Sequence, residues 1–297
     1  MTGTQRPTPP PVPWEEEQSR RWLAHLELRE APLLPVLDAL LDRSGLAPGE
    51  RVLDVGCGAG PTTGAAARLV GPSGRVTGVD VSPAMIAAAR NHVGDDGVDW
   101  LVADAARHTF APQSYDVVIS RFGVMFFADP VAAFANLAAA CRAGGRAVFA
   151  VWPLRDRSDF FSRPLDVLAA TFRRLGVPLV LPPPDRGPFA LGAPEQLRET
   201  LTAAGWSDVE IVADEQPLYL GGAGATNQQA LDFVTELGPT RTALEGQPSD
   251  LVAAVRADLL AAFDSWRDAI GVALSGGVLY VSARPGQRLA DPVGPAA

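Results

Sequence analysis

Residues 52–60, Val-Leu-Asp-Val-Gly-Cys-Gly-Ala-Gly, constrain this chain more than any other stretch. An apolar run holding one acid opens directly into three alternate glycines, as a buried strand does when it ends in a loop that passes close to a ligand. The spacing Asp54-x-Gly56-x-Gly58-x-Gly60 is not the dinucleotide fingerprint, in which the third glycine follows two intervening residues and a helix N-terminus cradles a pyrophosphate. Asp54, at the strand end, sets an acceptor beside the loop for a cationic amino group. A glycine turn of this kind also occurs for purely structural reasons, so the segments that follow decide between the two.

Residues 75–80, Arg-Val-Thr-Gly-Val-Asp, read as a second strand. Its terminal acid lies about 20 residues past the loop, the distance at which a carboxylate meets ribose hydroxyls in doubly wound folds, and this makes Asp80 the expected ribose clamp. Ser82 as N-cap and Pro83 at the first helical position open a helix over 84–90, with Met85 facing back over the site. Residues 98–105 form a third strand ending in Asp104-Ala105, and 115–120 a fourth. One helix starts near Pro61; another starts at Asp129-Pro130, runs to Arg142 and is ended by Gly144-Gly145, ahead of a fifth strand over 146–152. The strand ends converge on one edge.

In order along residues 46–152 stand Val-Leu-Asp-Val-Gly-Cys-Gly-Ala-Gly, Gly-Val-Asp-Val-Ser-Pro-Ala-Met, Ala-Asp-Ala, Tyr-Asp-Val-Val-Ile-Ser-Arg-Phe-Gly-Val-Met-Phe-Phe-Ala-Asp-Pro and Arg-Ala-Gly-Gly-Arg-Ala-Val-Phe. This series resembles the class I S-adenosylmethionine-dependent methyltransferases, in their ubiquinone/menaquinone-biosynthesis-like small-molecule branch. The resemblance implies an α/β fold, a doubly wound, mostly parallel seven-stranded sheet whose final strand, near 277–283, runs antiparallel. It implies S-adenosylmethionine as cofactor and S-adenosylhomocysteine as product. It also implies that Gly56, Gly58 and Gly60, with Cys57 between them, border the methionine part and that Asp80 takes the ribose. Val81 and Met85 then flank the adenine, Asp104 and Ala105 meet its edge, and Ser120 and Arg121 border the sulfonium.

Around this core the expected organisation is a proline-rich disordered tail over 1–13, a helical N-terminal lid over 14–46 that the core does not require, and the cofactor-binding core over 47–152. A helical substrate-cap insertion follows over 153–206, then the rest of the sheet with a second helical insertion over 207–284, and a tail from 285. A net charge of −9, with every basic residue an arginine, argues against a nucleic-acid substrate. No apolar run approaches the roughly 18 residues of a membrane span, and the N-terminus lacks a secretory apolar core. Two cysteines, Cys57 and Cys141, make no disulfide framework and too few ligands for a metal site. A cytoplasmic protein is expected, whose partner is a small-molecule acceptor, with a homodimer allowed and with neither nucleic acid nor membrane.

Methyl transfer from a sulfonium asks for an in-line approach and exclusion of water; a base is optional. His25 reaches the pocket if the N-terminal helices fold over it and is otherwise a surface histidine; His92 and His108 read as non-catalytic. Phe122, Met125 and Phe126 after the fourth strand, with Trp152 and Trp22, form either an apolar acceptor wall or ordinary core. Arg155, Arg157 and Arg163 are either a solvated face or a carboxylate pocket. The alternative function is a non-methylating protein that uses bound S-adenosylmethionine to organise a cyclisation or to sense it.

Overall fold

A computed structural model describes residues 16–181, 183–236 and 238–286. The expected tail over 1–13, Trp14 and all of 287–297 lie outside the described residues. Apolar runs flanked by turn residues become five parallel strands: β1 (Arg51–Val55), β2 (Arg75–Asp80), β3 (Val98–Val102), β4 (Tyr115–Arg121) and β5 (Cys141–Val151). Val52, Leu53, Val76, Val79 and Val117 to Ile119 are fully buried, as strands covered on both faces must be. The sheet is completed by β6 (Trp206–Asp214) and β9 (Val278–Pro285), in the order β3-β2-β1-β4-β5-β9-β6. As expected, β9 runs antiparallel, pairing Val281 with Phe149 on one side and with Ile211 on the other. The strand order turns back between β1 and β4, and in open sheets ligands bind in the crevice at such a point.

Four helices clothe the parallel half: α3 (Leu34–Ser44), α4 (Pro61–Val70), α5 (Pro83–Val93) and α6 (Pro130–Ala140). Ser82 caps α5 by accepting from the Met85 N–H, and Asp129 caps α6 by accepting from Ala132. The end of α6 departs from the sequence reading. Cys141 is already extended, and β5 begins there with a slip in register against β4 between Tyr115 and Val117. Gly144, at φ +78, sits in that irregular stretch and does not end the helix. Asp116 fixes the arrangement by accepting from the Arg51 backbone N–H and from the Arg142 side chain.

The N-terminal segment divides in two. Before α3 come α1 (Glu16–Ala24), α2 (Leu26–Glu30) and a 3-10 turn over Ala31–Leu33. A lid over all of 14–46 is not what the structure shows, because α3 is a wall of the core. Val36 and Leu40 are fully buried in the main cluster, while Leu37 and Leu41 join Val52, Val76 and Ile119. Arg146 clamps the end of α3, donating to the Ser44 and Gly45 carbonyls and to the Glu50 carboxylate. By contrast α2 has no fully buried residue and α1 has one, Ser19.

Among the described residues, five α-helices lie in the segments after β5 and after β7 (Pro217–Tyr219). The first holds α7 (Asp159–Arg174) and α8 (Pro194–Ala203), and the second α9 (Asn227–Glu236), α10 (Gly238–Leu244) and α11 (Ser249–Trp266). A short antiparallel pair, β7 (Pro217–Tyr219) and β8 (Ala273–Ser275), frames the second insertion. α7 packs on α11, where Thr171 Oγ1 donates to Asp258. Among the described residues, no helix is long and apolar enough to cross a membrane.

Candidate functional site

The loop after β1 holds all three glycines at positive φ: +68 at Gly56, +55 at Gly58 and +88 at Gly60. They are glycines for different reasons. A Cβ on Gly56 would lie 2.6 Å from the Gly123 Cα, and one on Gly60 would lie 2.8 Å from the Trp100 ring. A Cβ on Gly58 would meet nothing within 4 Å. Two of the three are thus set by protein packing, and Gly58 alone of the three faces open space. Gly56 and Cys57 both donate their N–H groups to the Val79 carbonyl, which folds the loop over the end of β2.

Two carboxylates lie toward the ends of β1 and β2. Asp80 joins the strand end to the loop: Oδ2 accepts from the Gly58 N–H at 3.0 Å and Oδ1 from the Ser82 N–H at 2.9 Å. Burial pushes the Asp80 carboxyl up, partly offset by those backbone donors. Asp54 is 1% exposed and accepts from Thr63 Oγ1 at 2.6 Å. Burial raises its pKa to about 6 against the pull of Thr63 and of Arg121. Cys57 is buried, and burial holds its thiol well above the usual range, which leaves no thiolate for chemistry. Beside Asp80, Val81 is 47% exposed whereas Met85 is buried. At the end of β3, Asp104 accepts from the Ala106 N–H, and the carbonyl of buried Ala105 is held by Asn136 of α6.

The end of β4 is occupied in ways the sequence did not suggest. Ser120 Oγ donates to the Val55 carbonyl and accepts from the Gly123 and Val124 N–H groups. It pins the turn after β4 against β1, opposite Gly56. Arg121 forms a largely buried ion pair with Glu30 of α2 and donates to Thr62 Oγ1 at 3.1 Å. A second tie joins the same cap to the site, since the Ser19 and Ser82 hydroxyls are 2.7 Å apart. Glu30, Ser19 and Gly123 carry no sequence signal, because each acquires its role from a residue far along the chain.

Phe122 follows at φ +63, an uncommon conformation for an aromatic residue. Its ring stacks on Trp152 with centroids 4.1 Å apart and planes 9° apart. Trp152 in turn lies nearly parallel to Phe160 at 6.0 Å, with Phe161 edge-on. Met125 Sδ accepts from the Trp152 N–H at 3.3 Å. Thus Phe122, Met125 and Trp152 come together at one strand end, while Phe126 is 45% exposed. Strain of this kind concentrates where a surrounding structure over-determines a residue, commonly at ligand sites.

Other sequence candidates lie elsewhere. His25 is exposed at the α1–α2 junction and lines a surface hollow with Glu27, Ala88 and His92. The Trp22 ring is covered by the Arg29 guanidinium at 4.6 Å. Arg157 and Arg163 are exposed, and Arg163 pairs with Asp159 within α7. Among the described residues, no group of three His, Cys, Asp or Glu side chains is placed to hold a metal ion.

Comparison with known proteins completes the description. A family model described as "Methyltransferase domain" matches residues 52–145. Aklanonic acid methyltransferase DauC of Streptomyces sp. (strain C5) is 39% identical over 118 residues, 39% of this chain and 54% of that protein. The chain thus spans about half the length of that relative. Nocamycin O-methyltransferase of Saccharothrix syringae is 30% identical over 206 residues, 64% of this chain and 71% of that protein. Among solved structures, phosphoethanolamine N-methyltransferase 2 of Haemonchus contortus shares the fold, with a TM-score of 0.54 and 19% identity, covering 93% of this chain and 58% of that one.

Proposed function

Because this chain belongs to the class I S-adenosylmethionine-dependent methyltransferases, we propose that it moves a methyl group from S-adenosylmethionine to a small, flat, largely apolar acceptor laid against Phe122 and Trp152. One observation carries the reading. The close fit of Gly56 against Gly123 holds the opening at Gly58 and the Phe122–Trp152 stack at adjoining strand ends, where a donor and an acceptor would meet.

The residues present fit the cofactor. A Cβ at Gly58 would project into the space a ligand needs. Each Asp80 oxygen uses one acceptor site on a backbone N–H and keeps another for a ribose hydroxyl. Val81, Met85, Asp104 and Ala105 surround the neighbouring strand ends for the adenine, and the Asp54 carboxylate opposes positive charge beside the loop. When bound, S-adenosylmethionine would supply an electrophilic methyl on its sulfonium, the methyl passing to the acceptor atom as the S–CH3 bond breaks and the neutral thioether S-adenosylhomocysteine leaves. The chain's part is to orient and to exclude water: the aromatic wall fixes the plane of the acceptor, and the α1–α2 cap, tied down through Glu30 and Ser19, closes over the strand ends. His25 receives no proton-transfer role, since it stands exposed in the hollow shared with His92. The relatives named for aklanonic acid and for nocamycin O-methyl transfer favour a small-molecule acceptor.

The test combines calorimetry with mass spectrometry. Wild type should bind S-adenosylmethionine and add 14 daltons to at least one member of a panel of hydroxylated polycyclic aromatics and quinones, a mass gain that depends on the cofactor. Gly58→Ala should weaken cofactor binding at least tenfold, with a folding cost of only about 1–2 kcal/mol for its left-handed backbone. Binding without any mass gain across the panel would turn the reading toward a non-methylating protein, and absence of binding would overturn both.

A further inference from the structure

The burial of Arg29 is the least accounted for among the described residues. Its Nε is shielded from solvent and has no hydrogen-bond partner. The guanidinium lies over the Trp22 ring, 4.6 Å from its centroid. Burial lowers its pKa to about 10, with Arg241 and Arg21 pressing the same way and Glu236 opposing them. Those two arginines have carboxylates of their own, Glu17 for Arg21 and Glu245 for Arg241. Among the described residues Arg29 has no ion pair. Buried donors in folded proteins are nearly always satisfied, and a partly buried, unpaired cation is costly to keep, so an arrangement like this points to a partner that the described residues do not supply.

The surroundings say where that partner would lie. The next residue, Glu30, is paired with Arg121, which immediately precedes Phe122. α2 packs on α9, whose Phe233 lies against Phe160 of the aromatic wall. Arg29 therefore stands on the rim where the N-terminal cap meets the second insertion, next to the region assigned to the acceptor.

We propose that Arg29, whose guanidinium lies over the Trp22 ring, binds a carboxylate carried by the acceptor. The proposal rests on the function given above and narrows its substrate to a flat aromatic acid. A guanidinium presents paired N–H donors in one plane that match the two oxygens of a carboxylate, and the indole beneath it fixes that plane without supplying any acceptor.

The full chain, saturated with S-adenosylhomocysteine, is titrated by calorimetry with anthraquinone-2-carboxylate and with its neutral carboxamide. Wild type should bind the carboxylate at least about tenfold more tightly, as expected for a charge-assisted contact. Arg29→Gln should abolish that preference while S-adenosylhomocysteine affinity stays unchanged, and its melting temperature should hold or rise because an unpartnered cation has been removed. Arg29→Lys should retain part of the preference, having charge without the fork. Equal affinities in wild type, a preference that survives Arg29→Gln, or failure of both probes to bind would overturn the proposal. The same pair titrated without the nucleotide separates the two claims: a carboxylate preference there with no S-adenosylhomocysteine binding would count against the proposed function and leave the Arg29 site standing.

Discussion

Asp54 is a carboxylate with a single hydroxyl donor, from Thr63, and almost no contact with water. Its pKa of about 6 in the folded chain stands above the ordinary 3.8, so the folded state binds the proton more tightly. The stability gained from protonation is present in full below about pH 4 and is lost as pH rises through 6. Asp54→Asn should accordingly stabilise the protein by up to about 3 kcal/mol at pH 8 and by well under 1 kcal/mol near pH 4, measured by urea unfolding at both values. A pH-independent difference would show that the Asp54 pKa is the same in the folded and unfolded chain. A positively charged cofactor should bind wild type more weakly at pH 5 than at pH 7.5, and Asp54→Asn should flatten that dependence. The acids at positions 54 and 80 were legible in the sequence because each ends an apolar run. The division of labour among Gly56, Gly58 and Gly60 was not, since Gly123 and Trp100, which decide it, arrive from other strands.

Among the elements, the α1–α2 cap is tied to the site through Glu30 to Arg121 and through Ser19 to Ser82. The ion-pair side chains are 7% and 19% exposed for Arg121 and Glu30, buried enough that removing one partner leaves an uncompensated charge. Thr62 and the Leu33 carbonyl still receive Arg121, which limits the damage. Glu30→Gln should speed hydrogen exchange in α1 and α2 roughly 10- to 100-fold while the sheet amides are unaffected, a local opening of about 1.4–2.8 kcal/mol. Exchange that rises equally in the sheet would mean the pair supports the whole fold and not a separable cap. The caps at Ser82 and Asp129 were read correctly because capping is local chemistry. The end of α6 was misread because Asp116, on the neighbouring strand, holds Arg142 in the extended stretch that the glycine pair had marked as a helix end.

At the scale of the whole molecule, α3 belongs to the sheet and α1–α2 do not. Removing residues 1–33 should leave a protein that still melts cooperatively. Removing 1–44 strips Val36, Leu37, Leu40 and Leu41 from the core, at about 1.5–3 kcal/mol each, a total comparable to the stability of an entire domain. Circular dichroism should then show no cooperative transition; a native-like melt of the shorter chain would place α3 with the cap after all. The sheet and its antiparallel final strand were legible through the ordered motifs of the parallel half. The three-residue strands β7 and β8 were not, being too short to show a period. The position of β9 also bears on how the chain is made. Because it slots between β5 and β6, both of those strands present bare backbone edges to the cell from the time they emerge from the ribosome until residues 278–285 are synthesised. Faults in translation or chaperoning over that interval should produce edge-paired aggregates in preference to soluble, half-built enzyme.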